Sequence, residues 1–142
     1  MAETEPPRPL VLIDTPIWQD YFRKAQPAFR TVNSLMDAGR VCCLDLIIAE
    51  LLSDADSEAE RKVFQDFTRV FPILREPSGA WIDAAESVFR LKERGKTLSL
   101  RDGYLALVVR SHGVLLYTKD RGLLRCGRPL SIRFFRSGRV SK

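Results

Sequence analysis

Four acidic residues stand at the edges of the apolar segments that should form the core of this chain, and their positions suggest a metal site. They are Asp14, Glu50, Asp102 and Asp120. Asp14 and Asp120 follow strand-like runs and Asp102 opens a helix-like one, at positions where a parallel sheet gathers functional groups. Converging carboxylates would repel one another and raise their own pKa values unless a cation lay among them. Ligation by oxygen alone favours Mg²⁺ or Mn²⁺ over Zn²⁺.

Three of these acids also have an ordinary structural explanation. Asp14 could stabilise the start of a helix through the helix dipole, but Thr15 could cap that helix instead, so the pattern favours a functional Asp14. Asp102 fits the Ser99-x-x-Asp102 capping pattern, so both interpretations are equally supported for it. Asp120 precedes an Arg-Gly pair typical of a turn, and only membership of the set makes it a candidate ligand.

Glu50 is the acid that a structural explanation fits least well. On a helix its near neighbours Leu46, Ile47 and Leu51 are all apolar. Burial of an unpaired carboxylate costs several kcal/mol or forces its protonation. Glu50 therefore needs a partner, and a metal ion is a plausible one.

Other residues offer weaker support for chemistry. His112 precedes Gly113 and is expected to cap the end of its helix rather than act as a base. Thr118 lies two residues before Asp120, where its hydroxyl either bonds a carboxylate or completes a strand. No glycine-rich phosphate loop is present, which argues against an enzyme that uses nucleoside triphosphates.

Alternating apolar segments predict the elements that must position these side chains. Helices are predicted after Asp14, over Ala28–Ala38, after Asp45 as the cap of the helix that carries Glu50, around Val63, Phe64 and Phe67, from Ala80 to Gly95, and from Ser99 to Gly113. Strands are predicted at Leu10–Ile13, Val41–Leu44, Phe71–Leu74, Val114–Thr118 and Leu130–Phe135. Strands that alternate with helices predict an α/β sandwich with a mainly parallel sheet of about five strands.

The 142 residues fit one domain, predicted over residues 10–136 between a flexible extension (1–9) and a basic tail (137–142). No segment reaches the roughly 18 apolar residues of a membrane span and the acidic start does not look like a secretion signal, so a cytoplasmic protein is expected. Cys42, Cys43 and Cys126 are expected to be free thiols.

The formal charge of +5 favours a polyanionic partner such as nucleic acid. Much of the excess lies in arginines near the C-terminus, and a solvated basic tail would give the same balance.

Four motifs together give the chain a family resemblance. They are Val11–Trp18, Ile48–Leu52, Leu98–Ala106 and Leu116–Asp120. In their order and spacing the chain resembles the PIN-domain nucleases, in particular the toxins of bacterial VapBC toxin–antitoxin pairs. The resemblance implies a three-layer α/β/α fold.

The same resemblance implies a function and a set of site residues. Asp14, Glu50, Asp102 and Asp120 would hold one or two Mg²⁺ or Mn²⁺ ions and act catalytically, with Thr15 and Thr118 orienting the carboxylates. The protein would be an endoribonuclease that hydrolyses RNA with metal-activated water. Its partners would be RNA, a cognate VapB-type antitoxin and a second copy of the chain.

Three positions depart from the family pattern. Pro16 replaces a small polar residue, which removes one hydrogen bond near the metal. Gly103 replaces a frequent alanine and is expected to loosen the start of its helix slightly. Gly122 stands where many relatives carry a further acid, so a second metal is expected to bind weakly or not at all.

Two other functions compete with a nuclease. One is a catalytically weak PIN-like scaffold that binds RNA or protein through its basic surface. The other is a receiver-like domain that accepts phosphate, which is disfavoured because no adjacent pair of acids follows the first strand.

Overall fold

Three short parallel strands form the centre of the fold. The computed structural model describes residues 8–137. The strands are β1 (Val11–Ile13), β2 (Val41–Cys42) and β3 (Leu115–Tyr117), in the order β2-β1-β3. Every residue of β1 is buried, as expected for a parallel strand covered on both faces. Most of the predicted extension (1–7) and tail (138–142) lies outside the described residues.

The sheet is parallel as predicted, but between residues 8 and 137 it has three strands rather than about five. The two missing strands are reduced to single parallel bridges, Cys43 with Ile73 and Leu116 with Phe134. Pro72 has no N–H to donate, so the segment around Ile73 pairs only briefly at the edge of β2. The prediction of a strand beginning at Leu130 is wrong, because that residue ends a short helix.

Eight helices within the described residues cover the sheet. They are α1 (Thr15–Phe22), α2 (Ala28–Asp37), α3 (Asp45–Ser53), α4 (Glu58–Val70), α5 (Ala80–Glu93), α6 (Leu100–His112), α7 (Arg121–Arg125) and α8 (Gly127–Leu130). None of the eight combines the length and apolar character that a membrane crossing requires.

The handedness of the connections assigns these helices to two faces. The chain steps from β1 to β2 and on to the Ile73 bridge, then returns to β3 and the Phe134 bridge. Right-handed crossovers therefore place α1–α4 on one face and α5–α8 on the other. Packing agrees, since the Trp18 ring of α1 lies 4.7 Å from the Phe67 ring of α4, whereas α5 packs on α6. The predicted three-layer α/β/α sandwich is confirmed.

Local capping differs from the sequence-based expectation at two helices. Asp14, not Thr15, caps α1, because its carboxylate accepts the backbone N–H of Thr15 at 2.8 Å. Asp45 is the first residue of α3 rather than its cap, which is Leu44. Ser99 caps α6 as predicted.

An aromatic cluster between α1 and α4 forms one side of the core. Trp18 is 1% exposed, stacks against Phe22 and contacts Phe67 in a tilted arrangement. Two large apolar residues of the flanking helices remain exposed: Val63 of α4 is 43% exposed, and Trp81 of α5 is 40% exposed. Trp81 instead covers the ring of Tyr104 at a centroid distance of 3.9 Å.

Gly103 brings α5 and α6 together. A β-carbon at this position would lie 2.8 Å from Cγ2 of Val88 and 3.3 Å from the carbonyl oxygen of Ala84. Such distances are shorter than van der Waals contact, so a side chain here would require the Val88 side chain or the backbone of α5 to shift. The glycine at this position thus permits close helix packing, a role that was not predicted from the sequence.

Replacement of Gly103 by alanine should lower the free energy of unfolding by about 1 kcal/mol, because overpacking outweighs the gain in helix propensity. Urea denaturation followed by circular dichroism measures the change. In a Val88→Ala background the same substitution should cost less, since the clashing methyl group is gone. An unchanged midpoint for Gly103→Ala would show that α5 and α6 already have room for the methyl group.

The three cysteines are buried free thiols, as predicted. Burial raises the pKa of both Cys42 and Cys43 to about 12. Neither forms a thiolate near neutral pH, so neither is a candidate nucleophile.

Candidate functional site

Three of the four predicted acids meet around one cation, the guanidinium of Arg101. Asp14 follows β1, Glu50 lies on α3 and Asp102 lies in the first turn of α6. All three carboxylates form ion pairs with Arg101. The fold therefore assembles distant acids at the carboxyl end of β1, where open parallel sheets bind their ligands.

The guanidinium of Arg101 makes a dense set of charge-assisted hydrogen bonds. Its Nη2 donates to Asp14 Oδ1 at 2.9 Å and to Glu50 Oε1 at 2.6 Å. Its Nε donates to Glu50 Oε2 at 3.0 Å, which makes the Glu50 contact bidentate. Its Nη1 donates to Asp102 Oδ1 at 2.9 Å.

Two hydroxyl groups also hold the carboxylates, and the Thr15 hydroxyl accepts a long bond of 3.4 Å from Arg101 Nη2 as well. Thr15 Oγ1 donates to Glu50 Oε1 at 2.5 Å, and Thr118 Oγ1 donates to Asp14 Oδ2 at 2.7 Å. These are the two threonines that the resemblance implied as orienting residues. Their contacts link the ends of β1 and β3 to α3.

Asp120 lies beside this cluster but makes no ion pair with Arg101 among the described contacts. Its carboxylate caps α7 by accepting the N–H of Leu123 at 2.9 Å. Its own N–H donates to Thr118 Oγ1 at 3.1 Å. Asp120 nonetheless lines a cavity of about 260 Å³ together with Asp14, Glu50 and Arg101. Asp120 therefore borders the same cavity as Asp14 and Glu50, although its capping bond to the Leu123 N–H is enough to explain its position.

The electrostatics of the site follow from burial and from Arg101. Burial alone would raise the pKa of Glu50, but hydrogen bonds from Arg101 and Thr15 hold that pKa below its usual value. For Asp102 burial wins, and its pKa is raised despite the bond from Arg101. Burial disfavours the charged guanidinium, yet the surrounding carboxylates raise the pKa of Arg101. A fixed positive charge therefore balances the negative charge of the pocket.

Asp14 is the most deeply buried acid, with a side chain that is 1% exposed. Its carboxylate accepts three kinds of donor: the Thr15 N–H, the Thr118 hydroxyl and the Arg101 guanidinium. A buried carboxylate is stable only with such satisfaction. These three donors are therefore enough to stabilise the buried negative charge of Asp14.

The donor set matches a hard divalent cation. All candidate ligand atoms are carboxylate oxygens, which suits Mg²⁺ or Mn²⁺, and the guanidinium shows that a cation is stabilised at their centre. In this conformation, however, no three Asp, Glu, His or Cys side chains in residues 8–137 lie close enough to share an ion. The acids match a metal in chemical type, but in this conformation they pair with Arg101 and are not close enough to share an ion.

Sequence reasoning missed Arg101 and misassigned His112. Arginine in the first turn of a helix opposes the helix dipole, which is a signal that an acid from elsewhere must compensate it. His112 is the last residue of its helix but does not cap it, since the C-cap is Gly113; its ring Nε2 lies 2.7 Å from the carbonyl oxygen of Arg75. The predicted capping bond at Asp102 forms in one direction, since the Asp102 N–H donates to Ser99 Oγ. Its carboxylate turns to Arg101 instead.

A protein-family model matches most of the chain. A family model described as PIN domain matches residues 11–129. This range contains Asp14, Glu50, Asp102 and Asp120. No curated protein sequence is significantly similar to the chain.

Several solved structures share the fold. FitAcB from Neisseria gonorrhoeae is 19% identical with a TM-score of 0.65, and the match covers 89% of this chain and 97% of that one. DNA-bound VapBC from Salmonella typhimurium is 18% identical with a TM-score of 0.67, covering 90% and 98%. VapBC-1 from nontypeable Haemophilus influenzae is 16% identical with a TM-score of 0.68, covering 89% and 96%. At these identities the likeness concerns the fold alone.

Proposed function

Because the chain belongs to the PIN-domain family, we propose that it is a metal-dependent endoribonuclease and the toxin of a VapBC-type toxin–antitoxin pair. The observation that carries the proposal is the convergence of Asp14, Glu50 and Asp102 at the end of β1, within the matched range. Such a cluster of carboxylates serves phosphodiester hydrolysis when it holds a divalent cation.

In this proposal the acids hold Mg²⁺ or Mn²⁺, with Asp14, Glu50 and Asp102 as the principal ligands and Asp120 at the cavity wall. When bound, the cation lowers the pKa of water and makes a nucleophile available for attack on a phosphodiester. Thr15 and Thr118 keep the Glu50 and Asp14 carboxylates oriented through their hydroxyl groups. Burial of Asp14 excludes bulk water from one side of the pocket.

The choice of RNA and of an antitoxin partner rests on charge and on the fold relatives. The formal charge of +5 favours a polyanionic substrate. Solved relatives include toxin–antitoxin complexes, for example one from Klebsiella pneumoniae that is 21% identical. An antitoxin segment would cover the acidic pocket, and a homodimer is part of the same proposal.

Removal of divalent cations should reduce RNA cleavage to background. Purified protein is incubated with total bacterial RNA, and new 5′ ends are mapped by sequencing, with EDTA and then with excess Mg²⁺ or Mn²⁺. Activity should return on metal addition, because the carboxylates provide no nucleophile of their own. Cleavage that persists in EDTA would contradict the proposal.

A second function has one specific observation in its favour. Arg101 neutralises part of the charge that a metal would need, as in a catalytically weak scaffold that binds RNA or protein. RNA binding without cleavage at any Mg²⁺ or Mn²⁺ concentration would support the scaffold over the nuclease.

A further inference from the structure

We infer that Arg101 is an internal competitor for the metal, so that its guanidinium and a divalent cation occupy the acidic pocket in turn. The inference rests on the proposed function of the same site. It adds an inhibitory contact that forms within the chain and needs no antitoxin.

The first argument is that Arg101 uses the oxygen atoms that a metal would need. It contacts both carboxylate oxygens of Glu50 and one oxygen each of Asp14 and Asp102. A guanidinium bridging three carboxylates occupies the centre of the pocket. A divalent cation at that centre would face a fixed positive charge at contact distance, which opposes its binding. The two states therefore exclude each other.

The second argument is that groups other than Arg101 keep the acids near one another when Arg101 leaves. Asp14 keeps the Thr15 N–H and the Thr118 hydroxyl, and Glu50 keeps the Thr15 hydroxyl. Asp102 is held by its place in the first turn of α6, where its N–H bonds Ser99. The acids are thus kept at the pocket by groups other than the arginine. They would have to move closer together to bind an ion, because in the present conformation no three acids among residues 8–137 lie close enough to share one.

The third argument is that Arg101 can leave without disturbing the core. Its side chain is 27% exposed and lies in the first turn of α6. The neighbouring residue Leu100 is also exposed, so this turn borders solvent. The helix dipole repels a cation at this end, and the guanidinium is held inward by the three carboxylates and by a long bond of 3.4 Å to the Thr15 hydroxyl. Displacement of Arg101 requires a change of side-chain rotamer rather than movement of a helix.

Competition of this kind weakens apparent metal affinity by the fraction of molecules in which Arg101 fills the pocket. If that fraction is about nine-tenths, the apparent Kd for the metal rises about tenfold. Removal of Arg101 should restore the tighter intrinsic affinity.

The test measures Mn²⁺ binding by electron paramagnetic resonance, which reports free Mn²⁺ and does not depend on cleavage. Four proteins are compared: wild type, Arg101→Gln, Arg101→Lys and the control Arg90→Gln. Arg90 forms an exposed pair with Glu86, so its variant removes the same charge outside the pocket. We expect the Mn²⁺ affinity of Arg101→Gln to be at least about tenfold higher than that of wild type. The affinity of Arg90→Gln should equal that of wild type.

Arg101→Lys separates displacement from simple charge repulsion. Lysine keeps the charge but loses the bidentate fork to Glu50, so it should fill the pocket less well and bind Mn²⁺ more tightly than wild type. Lysine and wild-type proteins with equal affinity would overturn the inference, because the effect would then be charge alone.

A second measurement on the wild-type protein covers the case in which a variant fails to fold. The Nε–Hε resonance of Arg101, assigned by ¹⁵N NMR, should be protected from solvent exchange in metal-free protein. Titration with Mg²⁺ should remove that protection as the guanidinium leaves Glu50. Protection that survives at saturating Mg²⁺ would overturn the inference.

The outcomes also separate this inference from the proposed function. Wild-type protein that binds Mn²⁺ as tightly as Arg101→Gln would reject the competition and leave the metal site standing. No Mn²⁺ binding by wild type or by any variant would reject both the competition and the metal-dependent nuclease.

Discussion

Replacement of Asp14 by asparagine should reduce RNA cleavage more than about 100-fold while the protein stays folded. Removal of a candidate metal ligand should reduce activity more than removal of a group that only orients a ligand. Asp14 is the acid that the fold holds most firmly. Its carboxylate lies at the end of the buried strand β1 and is shared between Thr15, Thr118 and Arg101.

The fold should survive because asparagine preserves the shape and the cap. Asparagine is as good an N-cap as aspartate, so α1 keeps its bond from the Thr15 N–H. The amide removes the negative charge and replaces one acceptor oxygen with a donor. Loss of activity would therefore report on charge and ligation rather than on unfolding.

Cleavage of total RNA in Mn²⁺, with thermal unfolding measured in parallel, tests this prediction. Asp66→Asn is the matched control, since Asp66 forms an exposed pair with Arg69 far along α4. The control should cleave like the wild type. An Asp14→Asn protein that cleaves within a fewfold of wild type would remove Asp14 from the catalytic set.

Replacement of Trp18 by alanine should lower the free energy of unfolding by about 3–5 kcal/mol, the usual cost of deleting a buried aromatic ring. The Trp18 ring joins α1 to α4 through its contacts with Phe22, Phe67 and Phe71. Its indole N–H has no hydrogen-bond partner among residues 8–137, so the ring contributes through packing alone. The substitution would leave a cavity between α1 and α4 and remove the contact between them that the ring provides.

Guanidinium denaturation followed by circular dichroism measures this loss, and Trp81→Ala serves as the comparison. Trp81 is of the same size but is 40% exposed where it covers Tyr104, so its removal should cost less than half as much. Equal losses in the two variants would mean that the cluster between α1 and α4 is not the main support of that layer.

Sequence patterns predicted the elements whose burial is uniform and missed those set by three-dimensional contact. Val11–Ile13 is apolar throughout and was recognisable as a buried strand. The segment around Phe134 was predicted as a full strand over Leu130–Phe135, but Leu130 ends α8 and the pairing is limited to one bridge at Phe134. Helix α7 is short and depends on the Asp120 cap, so its few residues show no helical period.

The candidate site shows the same division. Asp14, Glu50 and Asp102 were identifiable because each interrupts or borders an apolar run, and Arg101 now explains how the three charges coexist. The direction of the Arg101 side chain depends on where α3 and β1 lie relative to α6, which no local pattern encodes. The role of the three acids as metal ligands remains a prediction.

The single bridges at the two margins of the sheet separate the part of the protein that can open from the part that must stay rigid. Local opening begins where few buried contacts and backbone bonds would have to break, which here means the segments around Ile73 and Phe134. Strand β1 lies two places inward from either margin and has no exposed residue. Fraying at a margin would therefore leave the Asp14 carboxylate where it is, and thermal breathing of the domain need not interrupt its chemistry.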